Sequence, residues 1–250
     1  MNPPDLILAR AAAAAASQYL IAGLAQAREV RSNQGKDLKL RADIEAEQVI
    51  FRRLRDGSAY PILSEENGAD AGLRSDQVFW VVDPLDGTVN YSRGLPLACV
   101  SIGLWRGDEP LLGVVHDLAS GHCYSGVVGT GAWCEGDVMQ VSAVTEPAQG
   151  ILTTGFPSSR DHGDASLTAF VRGVQGFKKV RLLGSAALSL AWLAAGRVDA
   201  YREDDIWLWD VAAGLALVKA AGGEIQVQAG KSPWQRCVRA ANGRIPIQGW

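Results

Sequence analysis

The apolar run Val78-Phe79-Trp80-Val81-Val82 ends in Asp83-Pro84-Leu85-Asp86-Gly87-Thr88, and no other stretch constrains the chain as much. Consecutive β-branched and aromatic residues of this kind read as a buried strand. Pro84 stops the ladder and Gly87 turns the chain. Two carboxylates are therefore delivered to one strand end, where they repel unless a cation lies between them. Hard divalent cations such as Mg²⁺ take oxygen ligands of this type. Thr88 adds a hydroxyl, and Gly87 lets the backbone approach a ligand closely. The stretch reads as a metal site beside an anion site.

A chain of 250 residues can bury one large core or two small ones around such a site. Hydrophobic residues make up 48% and charged residues 20%, which places it among soluble globular proteins. The formal net charge is −3 with no long Lys/Arg run, so no nucleic-acid partner is expected. Cys99, Cys123, Cys134 and Cys237 have no CxxC spacing. That removes zinc and thioredoxin-like readings and points to buried thiols in a reducing cytoplasm. The stretch Leu6 to Leu24 lacks a basic leader and contains the run Ala11 to Ala16, which favours a soluble helix over a targeting peptide. No stretch has the length and apolarity to span a bilayer.

The pattern predicts a helix over Leu6–Val30, a break over Ser32–Asp37, and a second helix over Asp43–Leu54 that stops at Asp56-Gly57. The middle of the chain has short apolar runs at 98–105, 111–118, 122–127 and 131–134. Such a meander requires an antiparallel or mixed sheet. After about Val144, strands are expected at 151–154, 179–183 and 198–202, with helices at 186–195 and 210–221. No flexible linker separates the halves, about 1–143 and about 144–250. They are expected to pack as one unit with a cleft between them.

Further acids lie at element ends. Glu65 and Glu66 follow the apolar Pro61-Ile62-Leu63, while Asp43 and Asp210 stand where helices open. Taken singly, Asp43 and Asp210 serve equally well as helix N-caps, and Glu65-Glu66 as a solvated turn. Taken together, they are positions that a sheet or helix would aim into a cleft.

At this point the chain resembles the inositol monophosphatase family, the Mg²⁺-dependent, lithium-sensitive phosphatases. The first family signature is complete in Trp80-Val81-Val82-Asp83-Pro84-Leu85-Asp86-Gly87-Thr88-Val89-Asn90-Tyr91. The second is Trp209-Asp210-Val211-Ala212-Ala213-Gly214, ending at Gly222-Gly223. The resemblance implies an α+β fold of layered αβαβα type, two α+β halves with the active site between them. It implies two or three Mg²⁺ per site, held by Glu65, Asp83, the Leu85 carbonyl, Asp86 and Asp210. Asp43, Thr88 and Glu65 would be catalytic, with Thr88 and Asp43 orienting the attacking water. Gly87 and Thr88 would hold the phosphate. Ser185, Ala186, Glu203 and Asp210 would contact the substrate. The implied substrate is a small phosphate monoester, inositol monophosphate or a similar polyol phosphate, and the implied assembly is a homodimer with no membrane partner.

Alternatives stay open within the class: histidinol-phosphate phosphatase, a fructose-1,6-bisphosphatase-type sugar phosphatase, and a 3′(2′),5′-bisphosphate nucleotidase. Outside it stands a non-catalytic relative acting as a binding protein. The acidic run Glu203-Asp204-Asp205 suits a polyol or an amine-bearing substrate. Leu40 stands where the family has Thr, near Asp43. Lys36 reads as a solvated lysine, and His116, His122 and His162 as surface or structural residues. Trp207 and Trp209 read as core packing.

Overall fold

The computed structural model describes residues 3–23, 30–34, 37–74, 76–156, 163–248 and 250, with 30–34 and 37–40 described by backbone alone. Lys36, His162 and the side chains of Asp37 and Leu40 thus lie outside the described residues.

Helix α1 (Pro4–Ala22) ends at Gly23, whose N–H donates to the Tyr19 carbonyl at 2.9 Å. The expected continuation to Val30 is corrected: β1 (Val30–Gln34) pairs antiparallel with β2 (Asp37–Leu40). Helix α2 (Arg41–Gly57) follows directly. Strands β3 (Ile62–Ser64) and β4 (Gly68–Ala69) lead to β5 (Val78–Asp86) and the short helix α3 (Thr88–Arg93). The meander continues as β6 (Cys99–Arg106), β7 (Glu109–Asp117), β8 (Cys123–Val127), β9 (Gly131–Cys134) and β10 (Asp137–Val138). A 3₁₀ turn at Pro147–Gln149 precedes β11 (Ile151–Thr154), α4 (Asp164–Val174), β12 (Lys179–Arg181) and α5 (Ala186–Ala194). The described chain closes with β13 (Ala200–Trp207), α6 (Leu208–Ala220), β14 (Glu224–Ala229) and β15 (Gln235–Ala241).

Strands β3 to β10 form an eight-stranded mixed sheet, ordered β10-β9-β8-β7-β6-β5-β3-β4. Only β3 and β5 run parallel within it. The smaller sheet is ordered β12-β11-β13-β15-β14, with its β12, β11 and β13 parallel and the rest antiparallel.

Alternation along β5 explains the layers. Trp80 and Val82 pack with Leu6, Leu20, Ile50 and Leu54 of α1 and α2. Phe79 and Val81 point the other way, into a core shared with Leu188, Leu190, Val211 and Leu215 of α5 and α6. Both faces of the strand are buried, so its sequence is continuously apolar. Full burial of side chains such as Leu63 or Val82 contributes roughly 1.5–3 kcal/mol each. Tyr201, Val238 and Ala240 of the smaller sheet close this central core from the far side. On that sheet's outer face, Leu152 and Ala200 pack with Val174 of α4. The order is α1/α2, large sheet, α5/α6, small sheet, α4.

One local feature sets the spacing of the central layer. Gly103, Gly113 and Gly126 are direct cross-strand neighbours on β6, β7 and β8. A Cβ on Gly113 would sit 2.1 Å from the Ala213 carbonyl oxygen, and one on Gly103 would sit 3.1 Å from the Ala212 Cβ. Helix α6 therefore lies in a groove of missing side chains. Trp105 fixes it there by donating from Nε1 to the Ala212 carbonyl at 3.1 Å.

The acidic run at 203–205 lies inside β13 rather than in a turn, with a bulge between Glu203 and Ile206 where Asp205 has φ 57°. Trp207 and Trp209 correct the core-packing expectation in part. Their rings stack at 4.8 Å and 7°, Trp209 leans on the central core, but Trp207 is 39% exposed.

Candidate active site

Strand β5 bulges against β6 between Asp83 and Asp86, where Pro84 interrupts the ladder. The Asp83 carboxylate turns back to accept the Leu85 N–H at 2.9 Å. Thr88 donates its hydroxyl to the Leu85 carbonyl at 3.0 Å. Gly87 has φ 87°, and a Cβ there would lie 2.5 Å from the Leu97 carbonyl oxygen and 3.4 Å from that of Gly184. Only glycine fits both the backbone angle and the space.

Asp86 reaches across to the other sheet's helices. Its Oδ2 accepts from the Ser185 hydroxyl at 2.6 Å and from the Ala187 N–H at 2.7 Å. Ser185 in turn caps α5, accepting from the Leu188 N–H at 3.2 Å. Asn90 makes the second crossing: its amide donates to the carbonyls of Leu97 and Leu183, both at 2.8 Å.

These contacts wall a cavity of ≈ 240 Å³ lined by Asp86, Thr154, Gly155, Phe156, Gly184, Ser185, Ala186, Ser189, Tyr201, Glu203, Ile206 and Asp210. Glu203 is buried and accepts the Tyr201 hydroxyl at 2.7 Å. A Cβ on Gly155 would lie 2.2 Å from the Glu203 carboxylate oxygens, so the missing side chain makes room for that carboxylate. Asp210 sits in the first turn of α6, whose N-cap position is Trp207.

The electrostatics are those of crowded carboxylates. Burial, then the charges of Glu65, Asp86 and Asp210, push the Asp83 pKa well above the usual carboxylate range. Asp210 is pushed up well by burial, then by Glu65, Asp86 and Glu203. Burial raises Asp86 to about 6, against the opposing hydrogen bonds from Ser185 and Ala187. Burial raises Glu203 to about 7, opposed by the Tyr201 hydroxyl. Glu65, half-buried just after β3, is thus within electrostatic reach of both Asp83 and Asp210.

The structure therefore brings Asp86, Asp210 and Glu203 to the wall of one cavity with Ser185 and Ala186, while Glu65 and Asp83 stand outside that wall, within electrostatic reach of Asp210. Asp43 does not line the cavity. It is buried in the first turn of α2, and the strand leading into that helix packs against α3, which begins at Thr88. Among the described residues, no three His, Cys, Asp or Glu side chains form a closed metal cage. The donor set still fits a hard cation: carboxylate and carbonyl oxygens only, with like charges that a divalent ion would neutralise.

Three residues have supporting roles that the sequence does not assign. Glu47, fully buried, accepts the Glu66 N–H at 3.3 Å and the Asn67 side-chain amide, and so holds the turn carrying Glu65. Asn90 and Tyr201 orient neighbours rather than face the cavity with acidic groups of their own.

Comparison with known proteins follows the same geometry. The sequence pattern of the inositol monophosphatase family matches residues 3–247. The chain belongs to the inositol monophosphatase family. An inositol-1-monophosphatase of Mesorhizobium japonicum is 39% identical over 189 residues, 75% of this chain and 71% of that protein. A protein of Xylella fastidiosa named Nus factor SuhB is 36% identical over 231 residues, 90% of this chain and 82% of the relative. The solved inositol monophosphatase of Anabaena superposes with a TM-score of 0.83 at 34% identity, covering 96% of this chain and 91% of that one. The layered fold is that of the family, and membership makes this inositol monophosphatase relative a phosphoric monoester hydrolase. Among the described residues, no helix is long and apolar enough to cross a membrane.

Proposed function

We infer that the chain is a Mg²⁺-dependent phosphomonoesterase that uses water to hydrolyse inositol monophosphate or a similar polyol phosphate. One observation carries this reading: beyond burial, the charges of Glu65, Asp86 and Asp210 raise the pKa of Asp83, and those of Glu65, Asp86 and Glu203 raise that of Asp210. Such a set is stable as anions only with a cation among them. With the Leu85 carbonyl, these residues would hold two or three Mg²⁺. When bound, the ions supply a lowered water pKa and charge compensation for the leaving oxygen.

The chain's own groups do the remaining work. Thr88 has committed its hydroxyl proton to the Leu85 carbonyl, so its oxygen presents lone pairs to an attacking water. Asp43 then serves with Thr88 and Glu65 to orient that water and take its proton. The N–H groups of Gly87 and Thr88 hold the phosphate. Ser185 and Ala186, at the start of α5, and Glu203 with Asp210 contact the leaving alcohol. Burial pushes Glu203 up to about 7, so its protonated form, which both donates to and accepts from a hydroxyl, is populated near neutral pH, which favours a polyol. The enzyme is expected to act in the cytoplasm as a homodimer and to be inhibited by lithium.

Phosphate release from inositol 1-phosphate is expected to require Mg²⁺ and to be abolished by Asp83→Asn. Full activity in EDTA overturns the reading. Comparing kcat/KM across inositol, histidinol, sugar and adenosine phosphates separates the alternatives within the class.

A second reading, a non-catalytic binding role, is favoured by the relative named a Nus factor. Calorimetric Mg²⁺ binding without turnover of any phosphomonoester would support it over the first.

A further inference from the structure

Phe156 lines the same cavity as Asp86, Glu203 and Asp210 but has no part in the chemistry described above. Among the large apolar residues of that wall it alone is exposed. Phe156 is 43% exposed, whereas Ile206 is 6% exposed and Tyr201 is fully buried. Single apolar residues scattered over a surface are ordinary and need no explanation. A bare ring in a concave wall is a different case, because ligand sites join apolar surface to a few polar groups. Phe170 of α4 braces the ring, with centroids 5.5 Å apart and planes at 73°. Edge-to-face pairs of this kind are favoured, so the ring is held at the wall.

The polar part of the wall is less open than its composition suggests. Thr154 donates its hydroxyl to the Arg202 carbonyl at 2.6 Å, and Ser189 donates to the Ser185 carbonyl at 2.7 Å. Tyr201 donates to Glu203, and Ser185 to Asp86. The groups left to meet an alcohol are chiefly the carboxylates Glu203 and Asp210. Glu203 also takes a hydrogen bond from the Gly155 backbone, and Gly155 has no side chain to stand between them. Phe156 is the next residue. A hydroxyl held by Glu203 therefore carries its own carbon beside the Phe156 ring.

We propose that Phe156 sets the choice of alcohol at this site: its ring seats the C–H face of a cyclic polyol and so favours a ring over an open chain with similar hydroxyls. The proposal rests on the phosphatase reading given above. A saturated polyol ring has hydroxyls along its edge and C–H bonds on its faces. Its edge can meet Glu203 and Asp210 while one face covers the phenyl ring. That contact removes apolar area from water on both partners. A closed ring is already fixed in shape, so little torsional freedom is lost in making it. An open-chain polyol has no fixed face and must freeze several torsions to present one.

The test is phosphate release by the full chain, at saturating Mg²⁺, from inositol 1-phosphate and from sorbitol 6-phosphate, an open-chain ester with the same number of carbons. The parent protein is expected to prefer the ring ester about tenfold or more in kcat/KM. Phe156→Ala is expected to raise KM for inositol 1-phosphate about tenfold with kcat little changed, and to affect sorbitol 6-phosphate far less. Phe156→Tyr keeps the ring and is expected to keep the preference. Equal kcat/KM for the two esters in the parent overturns the proposal. So does a ratio that Phe156→Ala leaves unchanged, including an equal loss on both esters, which marks a purely structural role. A Phe156→Tyr protein as impaired as Phe156→Ala also overturns it. No release from either ester by the parent removes the phosphatase reading, and this proposal with it.

Discussion

Asp86 accepts the Ser185 hydroxyl at 2.6 Å, and this bond joins the end of the large sheet to the cap of a helix that packs under the small one. The cavity exists because two halves of the chain meet at this contact. The carboxylates on both sides were brought together by folding and not by sequence proximity.

Divalent ions should therefore stabilise the fold as well as support turnover. At about a hundred times its dissociation constant, Mg²⁺ is expected to add about 2.7 kcal/mol to unfolding. Asp83→Asn should weaken that response, raise the stability of the metal-free protein, and lower turnover about a thousandfold or more. Thermal unfolding with and without Mg²⁺, beside a phosphate-release assay, checks all three. An Asp83→Asn protein that still responds fully to Mg²⁺ removes Asp83 from the set.

Glu203 gives the metal-free protein a pH dependence of known sign. Its folded pKa is about 7 against an ordinary 4.5. The folded state therefore keeps a proton that the unfolded chain releases between those values. Stability is greatest at and below the lower value and falls as the pH rises through about 7, by a few kcal/mol in order of magnitude. Asp86, raised to about 6, adds to the same slope. Glu203→Gln should gain stability over the parent near pH 8 and gain little near pH 5 in urea denaturation. Parallel curves for the two proteins would contradict the assignment.

Asn90→Ala should cost stability and activity together. The amide donates to the carbonyls of Leu97 and Leu183, so truncation leaves buried acceptors unpaired. A loss of about 2–3 kcal/mol is expected, with a raised KM as the Gly184-Ser185 segment drifts from the Asp86 loop. Asn90→Asp should be worse, since it turns a carboxylate oxygen toward those carbonyls. Denaturant midpoints and steady-state kinetics distinguish the variants.

Gly87→Ala should be among the most damaging single-methyl additions. The residue has φ 87°, and the new Cβ would lie 2.5 Å from a backbone oxygen that cannot swing away. A loss of about 2 kcal/mol or more is expected, with turnover falling further than stability alone explains. A variant with normal kcat would show that this backbone has no part in the reaction.

Much of this was legible in the sequence, and the exceptions have physical reasons. Strand β5 was readable because both its faces are buried, so Val78 to Val82 is continuously apolar. Strands β9 and β11 have their observed limits at the expected 131–134 and 151–154. The helix end at Ala22 was missed because propensity does not register that Gly23 caps it and that Val30 pairs with Leu40. The strand expected at 198–202 runs on through the acidic residues to Trp207, because pairing with β15 and the packing of Ile206 outweigh the low strand propensity of Glu203, Asp204 and Asp205. Strands β14 and β15 were not assigned, although Ile225 and Val227 alternate with polar residues. The site residues sit in recognisable motifs, and Asn90 is in the first of them, but its supporting role, like those of Glu47 and Tyr201, depends on partners that only the fold supplies.

The row Gly103, Gly113 and Gly126 acts as a gauge block for this machinery. Helix α6 rests directly on backbone there, and the helix carries Asp210 at its first turn. The gap between Asp210 and the end of β5 is thus machined by three absent side chains that lie away from any substrate. A methyl group added on Gly113 would lift the helix and open the carboxylate cluster from behind. The tolerance of the active site is set in the part of the core that has the least to show on the surface.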